Sequence, residues 1–178
     1  MSKESIDTAI NPPFIAIAKI AKCESLSGLC ELEYHVGYEI GTKDRICLRI
    51  WSSSGNGKWN RDWKSLSDID QALSKNPGIF RVSALKPVYA GQSSNSHSFL
   101  AAVLKAENLI GLAGTVEGEY ARCNADVWWK ALQALVEAGT KLPDPAMDSG
   151  AAPMVVTTPK APKSAKKAGR PVGSGTNA

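Results

Sequence analysis

The feature that most constrains the fold is a strict alternation of residue types between positions 30 and 40. Apolar residues occupy the even positions, and acidic residues, His35 or Gly37 occupy the odd ones. A period of two sends successive side chains to opposite faces of a β-strand, so this stretch predicts a strand with one buried face. A second alternation at residues 46–51 follows a short turn, which predicts an antiparallel hairpin. The residues expected on the exposed face of this hairpin are Glu31, Glu33, Glu39, Arg45 and Arg49.

Helix signals come from caps and from apolar stripes with helical spacing. Ser65 precedes such a stripe and has Asp68 three residues later, which is the spacing of a capping box. Apolar stripes predict helices at residues 66–73, at residues 98–108 after a cap at Asn95 or Ser96, and at residues 125–138 after Asn124, with Gly139 as the stop. Residues 14–23 follow Pro12-Pro13 and favour a helix, although their apolar residues also fit a strand.

These elements together predict an α+β domain over residues 11–142. Its core would be an antiparallel hairpin or sheet packed by three or four helices, with a flexible segment at residues 1–10. Residues 79–90 fit either a helix or a strand, and residues 115–122 are expected to form a short strand or hairpin.

Charge is distributed unevenly along the chain. Residues 1–148 contain 16 Lys or Arg and 17 Asp or Glu, whereas residues 149–178 contain five Lys or Arg and no acid. The net charge of +4 therefore comes entirely from the C-terminal segment. This segment is rich in Ala, Pro, Gly, Ser and Thr and has no aromatic residue. Too little apolar surface is available to offset the entropy of ordering, so we expect residues 143–178 to form a disordered basic tail.

The tail contains Gly169-Arg170-Pro171 downstream of three lysines and resembles an AT-hook, a short segment that binds the minor groove of A·T-rich DNA. The narrow A·T groove has an enhanced negative potential that attracts arginine, and lysines beside it would neutralise phosphates. The sequence departs from the usual motif because Ala168 stands where a first arginine is expected. The alternative is a tail that only raises solubility. The DNA contacts predicted in the tail are Lys163, Lys166, Lys167, Gly169, Arg170 and Pro171.

A second basic region lies at residues 58–64, where Trp59 and Trp63 alternate with Lys58, Arg61 and Lys64. Aromatic rings can stack on bases while cations bind phosphates, so a nucleic-acid-binding patch is one interpretation. The other is that two tryptophans four residues apart belong to the core. Trp128-Trp129 poses a similar choice, with one ring expected in the core and the other on a self-association surface.

Residues 83–122 allow two interpretations of the fold. The helix at residues 98–108, with the turn at residues 91–95 before it and a short hairpin after it, resembles the recognition helix of a winged helix-turn-helix domain. Residues 94–97 would then face the major groove of DNA. Because this helix is poor in base-reading Arg, Lys or Gln, a core helix in an unrelated α+β domain is the alternative.

Signatures of catalysis, metal binding and membrane insertion are missing from the sequence. Residues 55–58 read Gly-Asn-Gly-Lys but lack the other residues of a phosphate-binding loop, and no Gly-x-Ser-x-Gly is present. No pair of cysteines has Cys-x-x-Cys spacing, so we interpret them as small buried side chains. The prediction is a non-enzymatic cytoplasmic protein, associated with the bacterial nucleoid, that needs no cofactor or metal and has no membrane span or signal peptide.

Three stretches, at residues 26–28, 54–63 and 91–100, are similar to parts of small accessory proteins carried by bacterial plasmids and integrative conjugative elements. This resemblance implies an accessory or regulatory role on a mobile element. The leading hypothesis is DNA binding to A·T-rich duplex, with a possible homo-oligomer. The rival is a protein-interaction module that inhibits or adapts a host protein, with a tail that only solubilises.

Overall fold

The computed structural model describes residues 14–90, 95–114 and 116–148. The elements are β1 (Ile15–Glu24), β2 (Glu31–Glu39), β3 (Ile46–Ser53), β4 (Lys64–Ser65), α1 (Leu66–Ser74), β5 (Phe80–Arg81), a 3₁₀ helix (Val82–Tyr89), α2 (Ser96–Ala106), β6 (Ile110–Leu112), β7 (Glu119–Arg122), α3 (Asp126–Glu137) and α4 (Pro145–Asp148). They form two antiparallel sheets, ordered β1-β2-β3-β4 and β5-β7-β6. The predicted α+β class is confirmed. The expected flexible residues 1–10, most of the turn at residues 91–95, and residues 149–178 of the predicted tail lie outside the described residues.

The predicted hairpin is confirmed as β2 and β3. Tyr34 pairs with Ile50 and Val36 with Leu48, so the even-numbered residues of both strands share one face. These residues are almost fully buried, α1 and α2 contact β3, and the buried residues belong to the same core as those of the 3₁₀ helix. The alternation in the sequence therefore identified both the strands and the face that they bury.

The helix favoured for residues 14–23 is wrong, and the strand alternative is correct. This segment forms β1, which pairs with nine residues of β2 in an antiparallel ladder. The long-range hydrogen bonds with β2 override the local preference for a helix, which is a weak influence on its own. A register shift between Ile17 and Lys19 changes the alternation midway along β1, so the two-residue period was incomplete in the sequence.

Three predicted helices are confirmed as α1, α2 and α3. The Oγ of Ser65 accepts a hydrogen bond from the backbone N of Asp68 at 3.1 Å, as the capping box predicted. Asn95 occupies the N-cap position of α2 but makes no capping hydrogen bond through its side chain. At α3 the Oδ1 of Asn124 accepts from the backbone N of Asp126, and Gly139 follows with a φ of 66°.

The segment from α1 to β7 has the element order of a winged helix-turn-helix. A helix, a short strand, two further helical segments and a hairpin follow one another, and the strand order is β5-β7-β6. The residues expected in the major groove are not all available to DNA, however. Ser96 is fully buried, and its Oγ accepts a hydrogen bond from the backbone N of Asn60 at 3.0 Å.

The middle of helix α2 lies in the core of the domain. Residues 100–104 are five consecutive positions, so they point in every direction around the helix, and all of them are buried. One side of α2 packs on the 3₁₀ helix, and β1 and β3 also contact it. Only this central part of α2 is enclosed, because residues 97–99 are partly buried and residues 105 and 106 are exposed. The middle of α2 therefore offers no face to a DNA groove.

The residues between α3 and α4 form a strap across the sheet. The hydroxyl of Tyr38 donates to the carbonyl of Thr140, and the backbone N of Leu142 donates to the carbonyl of Ile17 at 2.8 Å. Asp144 then accepts a hydrogen bond from Arg49 at 2.5 Å. These contacts hold residues 140–144 against the sheet.

Candidate nucleic-acid interface

Tryptophan rings and guanidinium groups alternate over the outer face of the first sheet. The Cζ of Arg49 lies 4.5 Å from the centroid of Trp63 and 4.8 Å from that of Trp51. The Cζ of Arg61 lies 5.0 Å from Trp51 and 5.6 Å from Trp59. We call these five residues the Trp–Arg stack, in the order Trp63, Arg49, Trp51, Arg61 and Trp59. Cation–π contacts contribute about 0.5–1 kcal/mol each at exposed sites and about 2 kcal/mol when desolvated, so the stack holds the loop at residues 54–63 on the sheet.

Arg49 is the buried member of this stack, which corrects the expectation that it lies on an exposed face. Its side chain is only 7% exposed because two indole rings and the strap cover it. Its Nε donates to the Nδ1 of His35 at 3.0 Å, and its Nη2 donates to Asp144. A buried guanidinium needs such partners, since desolvating an unpaired charge is costly. Glu33 lies on the far side of His35, with its Oε1 3.5 Å from the Nε2.

The close approach of Trp63 to the sheet depends on Gly37. A Cβ at this position would lie 2.9 Å from the Trp63 ring, 2.8 Å from the carbonyl oxygen of Ala16 and 2.6 Å from a methyl group of Ile15. One of these atoms belongs to the backbone and cannot move away without disturbing β1. Gly37 is therefore the position at which the sheet admits the Trp–Arg stack.

We expect Gly37→Ala to lower the free energy of unfolding by about 3 kcal/mol, at the upper end of the usual range for overpacking. The measurement is urea denaturation followed by circular dichroism. Gly41→Ala is the matched control, because a Cβ there would have no atom within 4 Å. The control should change stability by less than about 0.5 kcal/mol. Equal stabilities for the two variants would contradict the close contact at Gly37.

The fully buried His35 should make stability depend on pH. Burial lowers the pKa of His35, and the adjacent Arg49 guanidinium lowers it further, so the folded state favours the neutral ring. At pH values below 6.5, the ordinary pKa of histidine, His35 therefore binds fewer protons in the folded state than in the unfolded state. Stability is therefore complete above that pH and declines as the pH falls below it, by up to roughly 1.4 kcal/mol per pH unit.

Urea denaturation between pH 7.5 and pH 5 measures this effect. His35→Gln preserves an acceptor for Arg49 and removes the titrating group, so its stability should change less than that of the wild type. His97→Gln is the control, because it removes the other histidine of the chain. Burial and then Lys86 also lower the pKa of His97, but its ring is only partly buried, so this variant should alter the pH profile less than His35→Gln does. A wild-type profile that His35→Gln leaves unaltered would contradict the assignment to His35.

The structure places the predicted cations of residues 58–64 in three different environments. Arg61 is exposed and belongs to the stack. The side chain of Lys64 is only 14% exposed, and its Nζ lies 3.8 Å from Asp62 and 4.9 Å from the Tyr89 ring. Lys58 is exposed and has an interaction partner. The rings of Trp59 and Trp63 are partly buried, and guanidinium groups lie over both of them, so base stacking is not their evident role.

A second polar cluster, which no sequence pattern indicated, surrounds the buried carboxylate of Glu107. Its Oε1 accepts hydrogen bonds from Lys19 at 2.7 Å and from the hydroxyl of Tyr34. Its Oε2 accepts from Lys19 at 2.9 Å and from the indole N–H of Trp128 at 2.6 Å. The cluster joins the C-terminal end of α2 to β1, β2 and α3. Because both oxygens are engaged on all sides, we interpret Glu107 as a structural connection.

The two adjacent tryptophans of α3 differ in environment. Trp128 is held by the hydrogen bond to Glu107, while Trp129 is 37% exposed and borders surface depressions beside α1 and the β2–β3 turn. The cysteines also differ. Cys47 is buried as expected and Cys23 and Cys30 are partly buried, but Cys123 is exposed, so the expectation of buried cysteines is wrong for Cys123. Cys123 comes directly after β7 at the end of the small sheet, where little structure covers it.

Within the described residues, no group of three or more His, Cys, Asp or Glu is arranged to hold a metal ion. No helix in the same part of the chain is long and apolar enough to cross a membrane. No family model, curated protein or solved structure matches the chain.

Proposed function

We propose that this chain is a non-enzymatic DNA-binding protein with an accessory or regulatory role, and that residues 149–178 supply most of its affinity for duplex DNA. The observation that carries this proposal is the separation of charge. Five cations and no acid follow residue 148, whereas residues 1–148 have a net charge of −1. Cations without neighbouring acids neutralise phosphates effectively, because no internal ion pair competes for them.

The Gly169-Arg170-Pro171 segment adds a preference for A·T-rich sites to this general affinity. An extended Arg-Pro chain fits a minor groove about 6 Å wide, and the narrow A·T groove attracts the guanidinium. The burial of residues 100–104 supports this division of roles, since the middle of the helix that a winged helix-turn-helix domain would insert into the major groove is packed in the core. The resemblance to mobile-element proteins supports a bacterial plasmid or integrative element as the setting.

The test is an equilibrium titration of A·T-rich and G·C-rich duplexes with the full chain. We expect tighter binding to the A·T-rich duplex and a marked loss of affinity as salt is raised. Equal affinity for both duplexes would contradict the minor-groove contact and leave only phosphate binding. Failure to bind either duplex at low salt would contradict the DNA-binding function.

One observation favours a second function of another class, a protein-interaction module that inhibits or adapts a host protein. Trp129 is exposed on α3, and exposed tryptophan is enriched where proteins bind one another. On this alternative the tail only raises solubility. Its affinity would depend on a buried interface, so binding to the partner would respond weakly to salt and would be lost in Trp129→Ala.

A further inference from the structure

Arg61 is the exposed guanidinium of the Trp–Arg stack and lies between the rings of Trp51 and Trp59. Arg61 and Arg49 both lie beside tryptophan rings, but their hydrogen bonding differs. Arg49 donates to His35 and Asp144, whereas Arg61 has no hydrogen-bond acceptor or carboxylate partner among the described residues. An exposed guanidinium with unused donors is available to a ligand.

We infer that Arg61 is a phosphate-binding site in the folded domain, which contacts the backbone of the same duplex that the tail binds. This inference rests on the proposed function and deepens it. The guanidinium has five N–H donors in a planar fork that matches the oxygens of a phosphate. Contacts with Trp51 and Trp59 hold the group in place before binding, which reduces the side-chain entropy lost when the ligand arrives.

The local charge favours an anionic ligand. Residues 58–64 contain three cations and one acid, Asp62. This carboxylate accepts a hydrogen bond from the side chain of Asn60 at 2.8 Å and lies 3.8 Å from the Nζ of Lys64, so it already has polar partners of its own. The net charge of this loop is +2, in a domain that is otherwise slightly acidic.

The position of the stack relative to the tail favours nucleic acid as the source of the phosphate. Asp144, four residues before the end of α4, binds Arg49, and Arg49 and Arg61 both contact the ring of Trp51. The strap that precedes the tail in the sequence therefore lies on the face of the sheet that carries Arg61. Lys160 follows 12 residues after Asp148, a span of roughly 40 Å when extended, so one duplex can contact both the tail and the stack.

This contact should be independent of DNA sequence, because it reaches a phosphate and no base edge. One neutralised phosphate changes the slope of log K against log salt by about 0.9. Arg61→Gln in the full chain should therefore make the slope shallower by about 0.9 and weaken binding by roughly eightfold at 0.1 M salt. The loss should be the same for A·T-rich and G·C-rich duplexes.

Arg81→Gln is the matched control, because Arg81 is an exposed arginine on the second sheet and lies 3.5 Å from Glu119. It should leave both slope and affinity unchanged. Arg61→Lys keeps one positive charge and loses the planar fork, so the wild-type slope should remain while affinity falls. Comparing Arg61→Lys with Arg61→Gln separates the loss of charge from a disturbance of the stack. The melting temperatures of all variants show whether they fold.

An Arg61→Gln slope equal to that of the wild type would overturn the inference while leaving tail-dependent binding intact. A slope for Arg61→Lys as shallow as that for Arg61→Gln would also overturn it, because the retained charge would then neutralise no phosphate. A wild-type chain that binds no duplex would overturn the proposed function together with this site. If Arg61→Gln weakened binding to a protein partner and left binding to DNA unchanged, Arg61 would bind a carboxylate of that partner, and the inference would be overturned.

Discussion

Replacing Glu107 with alanine is expected to lower the free energy of unfolding by about 3 kcal/mol, since it leaves several donors without an acceptor. The hydroxyl of Tyr34 and the indole N–H of Trp128 would both lose their partner. A buried polar group left unpaired costs about 1–3 kcal/mol. Lys19 should add little to this loss, because its side chain is 42% exposed and its ammonium group can be hydrated.

Urea denaturation of the full chain measures this effect. Glu137→Ala is the matched control, an exposed glutamate at the end of α3, and it should change stability by less than about 0.5 kcal/mol. Glu107→Gln retains one acceptor oxygen and should fall between the wild type and the alanine variant. A loss below about 1 kcal/mol for Glu107→Ala would contradict the structural role of this carboxylate.

The second large effect is expected on DNA affinity. A full-length variant in which Lys163, Lys166, Lys167 and Arg170 are all replaced by glutamine should lose about four phosphate contacts. The slope of log K against log salt should become shallower by about 3.6, and affinity at 0.1 M salt should fall by roughly three orders of magnitude. Fluorescence anisotropy with a labelled A·T-rich duplex provides the measurement.

A control for this variant is the replacement of four uncharged residues of the tail, Ser164, Ala165, Ala168 and Ser174, by glutamine. It alters the tail composition to a similar extent and keeps all five cations, so affinity should change little. If the charge-neutralised variant bound as tightly as the wild type, the tail would not be the DNA-binding element. The folded domain would then have to carry the affinity.

The sequence predicted the elements whose signals are local. The alternation at residues 30–40 identified β2 together with its buried face, because the strand period is sufficient for both. The cap at Ser65 located the start of α1, since the capping hydrogen bond to Asp68 involves only four consecutive residues. Gly139 marked the end of α3, where a positive φ favours glycine.

The elements and contacts that depend on distant residues could not be predicted in the same way. β1 is a strand because β2 lies beside it, whereas Pro12-Pro13 and the following apolar residues favoured a helix. Arg49 occupies a polar position of its strand and was expected in solvent. It is buried because Asp144, which lies 95 residues away in the sequence, reaches it across the sheet.

The candidate site was predicted in part. The alternation of tryptophans and cations at residues 58–64 predicted a nucleic-acid-binding patch. Arg61 is exposed in the structure, as a residue that contacts phosphate must be. No sequence pattern indicates that Lys64 is nearly buried, or that Trp51 from β3 completes the stack around Arg61. The order of the stack arises from two separate segments of the chain, β3 and the loop at residues 59–63, and only the folded sheet brings them together.

The most direct test of the proposed function is the salt dependence of binding between the full wild-type chain and an A·T-rich duplex. Affinity should fall as salt rises, with a slope of log K against log salt of about −3.6 or steeper. A G·C-rich duplex measured in parallel should bind more weakly at every salt concentration. Absence of binding at low salt, or binding that salt does not weaken, would contradict the account.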